Sequence, residues 1–168
     1  GNFDYKRYNA DGSYLYFRGD LSHTHDLPGG FQVFVKAQGQ VSSAPLINSE
    51  QFGGGGLSTV RGYLEATALG DNAIFGTVEL RSPSLLRKLD NKENEWRVYA
   101  FYDVGRLTLI DPLPEQIDSH GLESVGFGTR LKLLNHLNAS LDAGMPLVRQ
   151  ADADLDNFFL TFRVQADF

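Results

Sequence analysis

The sequence contains no cysteine, which excludes disulfide bridges and thiolate metal sites. Long apolar runs are missing too. No stretch approaches the roughly 18 apolar residues of a membrane-spanning helix, and the first residues carry no signal-peptide pattern. That absence does not exclude a membrane, because transmembrane strands show only alternation over about ten residues. Basic residues are outnumbered, 15 Lys and Arg against 21 Asp and Glu, giving a net charge of -6 and a pI near 5.1. Such a chain lacks the basic face that displaces counterions from nucleic acid, so nucleic acid is not expected as a partner. Of four histidines only His23 and His25 are close; they fall at an expected turn with no third ligand in view, and no metal site is expected. There is no nucleophile-base-acid order, and the run Gly53 to Gly56 lacks the lysine and following helix of a phosphate loop. The expectation is a protein without enzymatic activity or cofactor.

What is present is glycine, 18 in 168 residues, and a 12% aromatic share, both leaning towards β structure in one domain. Period-two alternation recurs along the chain. A doubtful first strand, Phe3 to Arg7, precedes the turn signal Asn9-Ala10-Asp11-Gly12. Alternating segments follow at Tyr14 to Leu21, Phe31 to Val41, Ile74 to Arg81, Trp96 to Gly105, Ser124 to Leu133, Leu137 to Met145 and Phe158 to Phe168. That makes about eight strands. Their apolar faces include the small residues Gly19, Gly39, Ala139 and Ala143, which suit lipid contact better than a tightly interlocked core. The opposite faces carry Arg18, Lys36, Glu79, Arg97, Asp103, Arg130, Lys132, Asp142 and Arg163. Those charges fit a watery lumen, and fit equally the solvent side of a soluble β-sandwich.

Loop lengths separate the two. The long connections 42–72, 107–120 and 148–157 fall on one side of the strands. The turns near Pro28 and Asn135, the connection 82–95 and the C-terminal residue fall on the other. Long outer loops with short periplasmic turns are the pattern of a bacterial outer-membrane β-barrel. The fold class expected is therefore all-β, an antiparallel transmembrane barrel with about eight strands in this chain, either a small barrel or half of a 16-stranded one. The whole of 1–168 is expected to form one barrel region with no periplasmic polypeptide-binding domain. A half-barrel would leave edges for self-association, and membrane lipid is a partner in either case.

Four ordered motifs bring a family into view: Val60-Arg61-Gly62-Tyr63 with Gly70-Asp71, Gly76-x-x-Glu79-Leu80-Arg81-x-Pro83, Phe101-x-Asp103-x-Gly105, and the terminal Phe168. Together they resemble the transporter component of two-partner secretion, the TpsB proteins of haemolysin and adhesin secretion. Those proteins share a superfamily with the barrel-assembly insertases, and Gly70-Asp71 favours the secretion branch. The resemblance implies a long loop, 42–72, folded back into the lumen, with Arg61 at its tip reaching lumen-facing Asp103 and with Glu79 nearby. The alternation count by itself puts both carboxylates on the polar face. Tyr63 and Phe101 would pack the loop base against the wall, and Gly105 completes the strand motif. Phe168, with Val164 and Phe162 on the same face, resembles the C-terminal signal read by the barrel-assembly machinery. A secreted, unfolded polypeptide is the implied client. The alternatives are an insertase of the same superfamily and, in another class, a soluble β-sandwich that binds a ligand through its long loops.

Overall fold

The computed structural model describes residues 14–86, 94–134, 136–150 and 158–166. The doubtful strand Phe3 to Arg7, Asn135, the segment 151–157 and Phe168 lie outside the described residues. Alternation resolves into strands β1 (Tyr16–Asp26), β2 (Gln32–Ser42), β5 (Asn72–Arg81), β6 (Glu95–Thr108), β7 (Ser119–Leu133), β8 (Leu137–Pro146) and β9 (Phe159–Ala166). These pair antiparallel in the order β1-β2-β5-β6-β7-β8-β9. The sheet is a seven-stranded meander, and among the described residues β1 and β9 are its two edges.

Three features of the sequence reading change. His23 and His25, expected at a turn, lie within β1 opposite Val35 and Val33, because the strand runs on to Asp26 and reverses through the 3-10 turn Pro28–Gly30. The connection expected over 107–120 shrinks to 109–118, since the β6-β7 ladder extends from Glu95↔Lys132 to Thr108↔Ser119. Leu109 N–H then donates to Asp118 O across its base. The long connection 42–72 is also more ordered than a loop. It contains a short hairpin of β3 (Phe52–Gly54) and β4 (Ala68–Gly70), paired from Phe52↔Gly70 to Gly54↔Ala68.

Burial is inverted with respect to a soluble protein. The apolar face is the uncovered one: Phe17, Leu21, Ile74, Phe127, Leu160 and Phe162 are exposed, Phe17 and Phe162 by more than three quarters (76% and 77%). Among the described residues no second sheet packs on it, whereas a β-sandwich covers its apolar face. Continuous apolar exposure of this kind on a large sheet marks a surface made for a non-aqueous environment. The polar face is instead covered by the 42–72 segment. Val60, Tyr63 and Ala68 of that segment join Ala73, Phe75, Leu107 and Leu122 of the wall in one buried cluster, with Phe52 packed against it. The core therefore lies between the inner wall and the segment folded over it.

Three aromatic rings keep that inner face shallow. Phe75 is paired with Gly105, Phe101 with Gly126 and Tyr99 with Gly128 on neighbouring strands. A Cβ at those glycines would lie only 2.1, 2.4 and 2.7 Å from atoms of the opposite ring. Each ring thus occupies the space left by the missing side chain, lying along the wall instead of projecting from it. Gly105, expected only as part of a strand motif, has this concrete role.

Candidate functional site

Thr59 begins the tip of the folded-in segment: its hydroxyl donates to Gly55 O at 2.9 Å and accepts from Gly55 N–H at 2.8 Å, closing a small loop. Val60 is fully buried beside it. Gly62 then takes φ +91°, a left-handed conformation that non-glycine residues enter at a cost. Its backbone rests on Gly144 of β8, where an added Cβ would lie 2.7 Å from Gly62 N and 3.0 Å from the Arg61 carbonyl carbon. Two glycines back to back allow the loop tip to touch the wall directly.

This contact aims Arg61 along the wall. Its backbone N–H and Nε donate to Asp103 Oδ2 at 3.0 and 2.8 Å, and its Nη2 donates to Asp103 Oδ1 at 2.8 Å. The guanidinium thereby grips both carboxylate oxygens in the fork geometry that makes such pairs strong and directional. Nη1 donates to Glu79 Oε1 at 2.7 Å and to Asp142 Oδ1 at 3.3 Å. Below the guanidinium lies Phe101, its ring centroid 3.6 Å from Cζ, a cation-π contact. Arg61 is 6% exposed, and Glu79, Asp103 and Asp142 are exposed by 3%, 0% and 2%. Burial works against a charged guanidinium, but the hydrogen bonds and charges of Asp103 and Glu79 outweigh it and raise the Arg61 pKa above its ordinary value. The group stays charged at any working pH.

A ring of further partners holds the carboxylates. Arg81 Nε and Nη2 donate to Glu79 Oε2 at 2.9 and 2.7 Å, and Tyr99 Oη donates to Asp142 Oδ1 at 2.8 Å. β5, β6 and β8 each send one carboxylate to one arginine, so the sheet must curl around it. Tyr63, expected to pack the loop base, is 2% exposed and does more than pack. Its hydroxyl lies 2.9 Å from Glu123 O and 2.7 Å from Val148 O, and accepts from the amides of Glu123 at 3.3 Å and Val148 at 3.2 Å. It bridges β7 and the chain leaving β8, just beyond the last ladder pair Ser124↔Pro146.

The structure thus brings Val60, Arg61, Gly62 and Tyr63 to the wall beside Glu79, Phe101 and Asp103, and keeps Gly105 under Phe75. Val164 and Phe162 sit exposed on the outer face of β9. Two functional residues were missed. Asp142 was visible as a polar-face charge, but nothing in its local motif ties it to Arg61 across 81 positions of chain. Asp71 was seen only as part of a dipeptide. It is fully buried and anchors the root of the segment: Oδ1 accepts from Leu46 N–H at 2.9 Å and Gln51 Nε2 at 3.2 Å, and Oδ2 from Ile110 N–H at 2.7 Å. Its setting, a lone acid between glycine and asparagine at a strand entrance, was the available signal.

Comparison with known proteins adds what geometry alone does not. A sequence model of the haemolysin secretion/activation protein family ShlB/FhaC/HecB matches residues 3–131, well over half of the chain. The chain belongs to this family. No curated protein matches it. Among solved structures it is similar to CdiB from Acinetobacter baumannii, with a TM-score of 0.65 at 18% identity. That match covers 91% of this chain and 27% of CdiB, so the chain spans about a quarter of the neighbour's length. At that identity the likeness concerns the fold, and it agrees with an antiparallel barrel wall. Family membership accords with the secretion branch that Gly70-Asp71 favoured, and no observation points to the insertase branch.

Proposed function

We propose that the chain is the loop-bearing part of a bacterial outer-membrane transporter of the two-partner secretion type, passing an unfolded haemolysin-like or adhesin-like polypeptide, and that Arg61 locks its folded-in segment. The observation that carries this reading is one buried guanidinium held by carboxylates from β5, β6 and β8 on a sheet whose apolar face is uncovered. The exposed face meets lipid, and the covered face lines the lumen. The segment 42–72 occupies the lumen when Arg61 is bound and must leave or shift for a client to pass. No step of this needs a nucleotide.

Secretion of the partner by the intact transporter tests the proposal. Arg61→Ala and Asp103→Ala are each expected to abolish partner secretion while the protein still reaches the outer membrane and shows heat-modifiable gel mobility. Undiminished secretion in both variants would sink the lock. A native protein that is fully soluble without detergent and runs at one gel position before and after heating would sink the barrel itself.

A further inference from the structure

The inner wall carries a second cluster of charge that the lock does not use. In the register of the sheet Arg130 of β7 stands opposite Ser140 of β8, and Ser140 stands opposite Arg163 of β9. Two guanidinium-bearing residues therefore flank one short side chain on the lumen face. Adjacent strands lie about 4.8 Å apart, so the two backbones are about 10 Å apart and leave a slot between their side chains above Ser140. Lys132, two residues along β7, faces the same way. Arg130 lies over the Tyr99 ring with Cζ 5.3 Å from its centroid, and among the described residues it has no hydrogen-bonded carboxylate. Arg163 and Lys132 make no ion pair among the described residues either. The nearby carboxylates are already engaged: Asp142 by Tyr99 and Arg61, Glu79 by Arg61 and Arg81, and Glu95 by Arg97. Arg130, Ser140 and Arg163 share a cavity of about 190 Å³ with Arg61, Glu79 and Asp142. In a chain with net charge -6, this concentration of cations without a contact ion pair among the described residues is no reflection of composition.

Location narrows the ligand. The cluster lies towards the end of the sheet where the short turns fall, whereas Asp103 lies nearer the long connections. The slot stands on the inner face, opposite the apolar surface, so lipid headgroups do not reach it, and Arg130 and Arg163 are exposed there. We infer that the Arg130–Ser140–Arg163 slot, with Lys132, binds side-chain carboxylates of an acidic segment in the passing polypeptide. This rests on the transporter reading for the origin of the polypeptide, but the binding itself does not depend on secretion. Guanidinium groups suit the task, because forked donors match carboxylate geometry and remain charged.

The test uses the intact protein in detergent micelles, with fluorescent hexaglutamate, hexalysine and hexaserine peptides as probes. Hexaglutamate is expected to bind, with affinity falling as salt rises, and the other two are not. Arg130→Gln and Arg163→Gln are each expected to weaken hexaglutamate about tenfold, and the double variant more, as for the loss of one charge-assisted contact each. Arg130→Lys is expected to restore much of the lost affinity, and unaltered heat-modifiable mobility shows that the variants remain folded. Equal binding of all three peptides, or undiminished hexaglutamate binding by the folded double variant, overturns the inference. If hexaglutamate binds as expected but Arg61→Ala leaves secretion intact, the site stands and the lock reading falls.

Discussion

Replacing Asp103 by asparagine isolates the lock with the smallest change of shape. Asp103 is fully buried and accepts three hydrogen bonds from Arg61, one from the backbone and two from the guanidinium. Glu79 keeps Arg81 and Asp142 keeps Tyr99 when Arg61 moves, whereas Asp103 has no other cation in hydrogen-bond contact among the described residues. Breaking one partner of a buried pair costs roughly 3-5 kcal/mol, reduced here because asparagine still offers one acceptor and because lumen water can reach the opened site. An effective loss of about 3 kcal/mol corresponds to roughly a hundredfold shift in the equilibrium between docked and released tip. Amide hydrogen exchange followed by mass spectrometry on peptides spanning 55–63 reads that shift directly, since exchange of a protected loop tracks its opening free energy. Asp103→Asn is expected to speed exchange there about a hundredfold and to leave the β1-β2 ladder unchanged. Exchange at 55–63 within about threefold of the parent protein would refute the reasoning, because the segment would then be held by its apolar contacts alone.

Gly144→Ala puts a methyl group 2.7 Å from Gly62 N, and overpacking of this kind costs about 1-3 kcal/mol; lifted tip contacts should appear as faster exchange at 60–63, and a normal rate would show that the two backbones are not in contact. Val78→Arg places a charge at mid-strand on the uncovered face, where lipid exposure costs roughly 2-4 kcal/mol; unfolding measured in lipid vesicles should show that loss, and an unchanged midpoint would argue against lipid at this face. Because Arg61 is held charged by Asp103 and Glu79, the docked tip should keep its protection as pH rises through 8 and 9; a loss in that window would contradict it.

Much of this was legible because a strand betrays its two faces in a single sequence. Alternation alone put Glu79, Phe101, Asp103 and Asp142 on one face, and the structure finds all four inside. Loop lengths by themselves suggested which end of the strands was which. The short hairpin β3-β4 was hidden because its six residues are mostly glycine and small apolar residues, which carry no alternation, and its pairing depends on the wall beneath. The strand ends Ser22–Asp26 and Ser119–Glu123 carry little signal for a related reason: mostly polar residues and glycine join a ladder when a neighbour offers its edge, whatever their intrinsic preference. The link from Arg61 to Asp142 could not be read at all, since it requires the curl of the sheet to bring β8 opposite β5.

The layering under Arg61 has a bearing on how the molecule is made. Gly126 leaves a recess, the Phe101 ring fills it, and the guanidinium settles on the ring at 3.6 Å. Each layer exists only if β6 and β7 are zipped in one register, because a slip of a single residue turns Phe101 and Asp103 to the opposite face. Glu79 and Asp142 impose the same demand on β5 and β8. The arginine therefore acts as an inspector of the finished wall: it can seat only after four strands are correctly aligned, and a misassembled sheet leaves it outside.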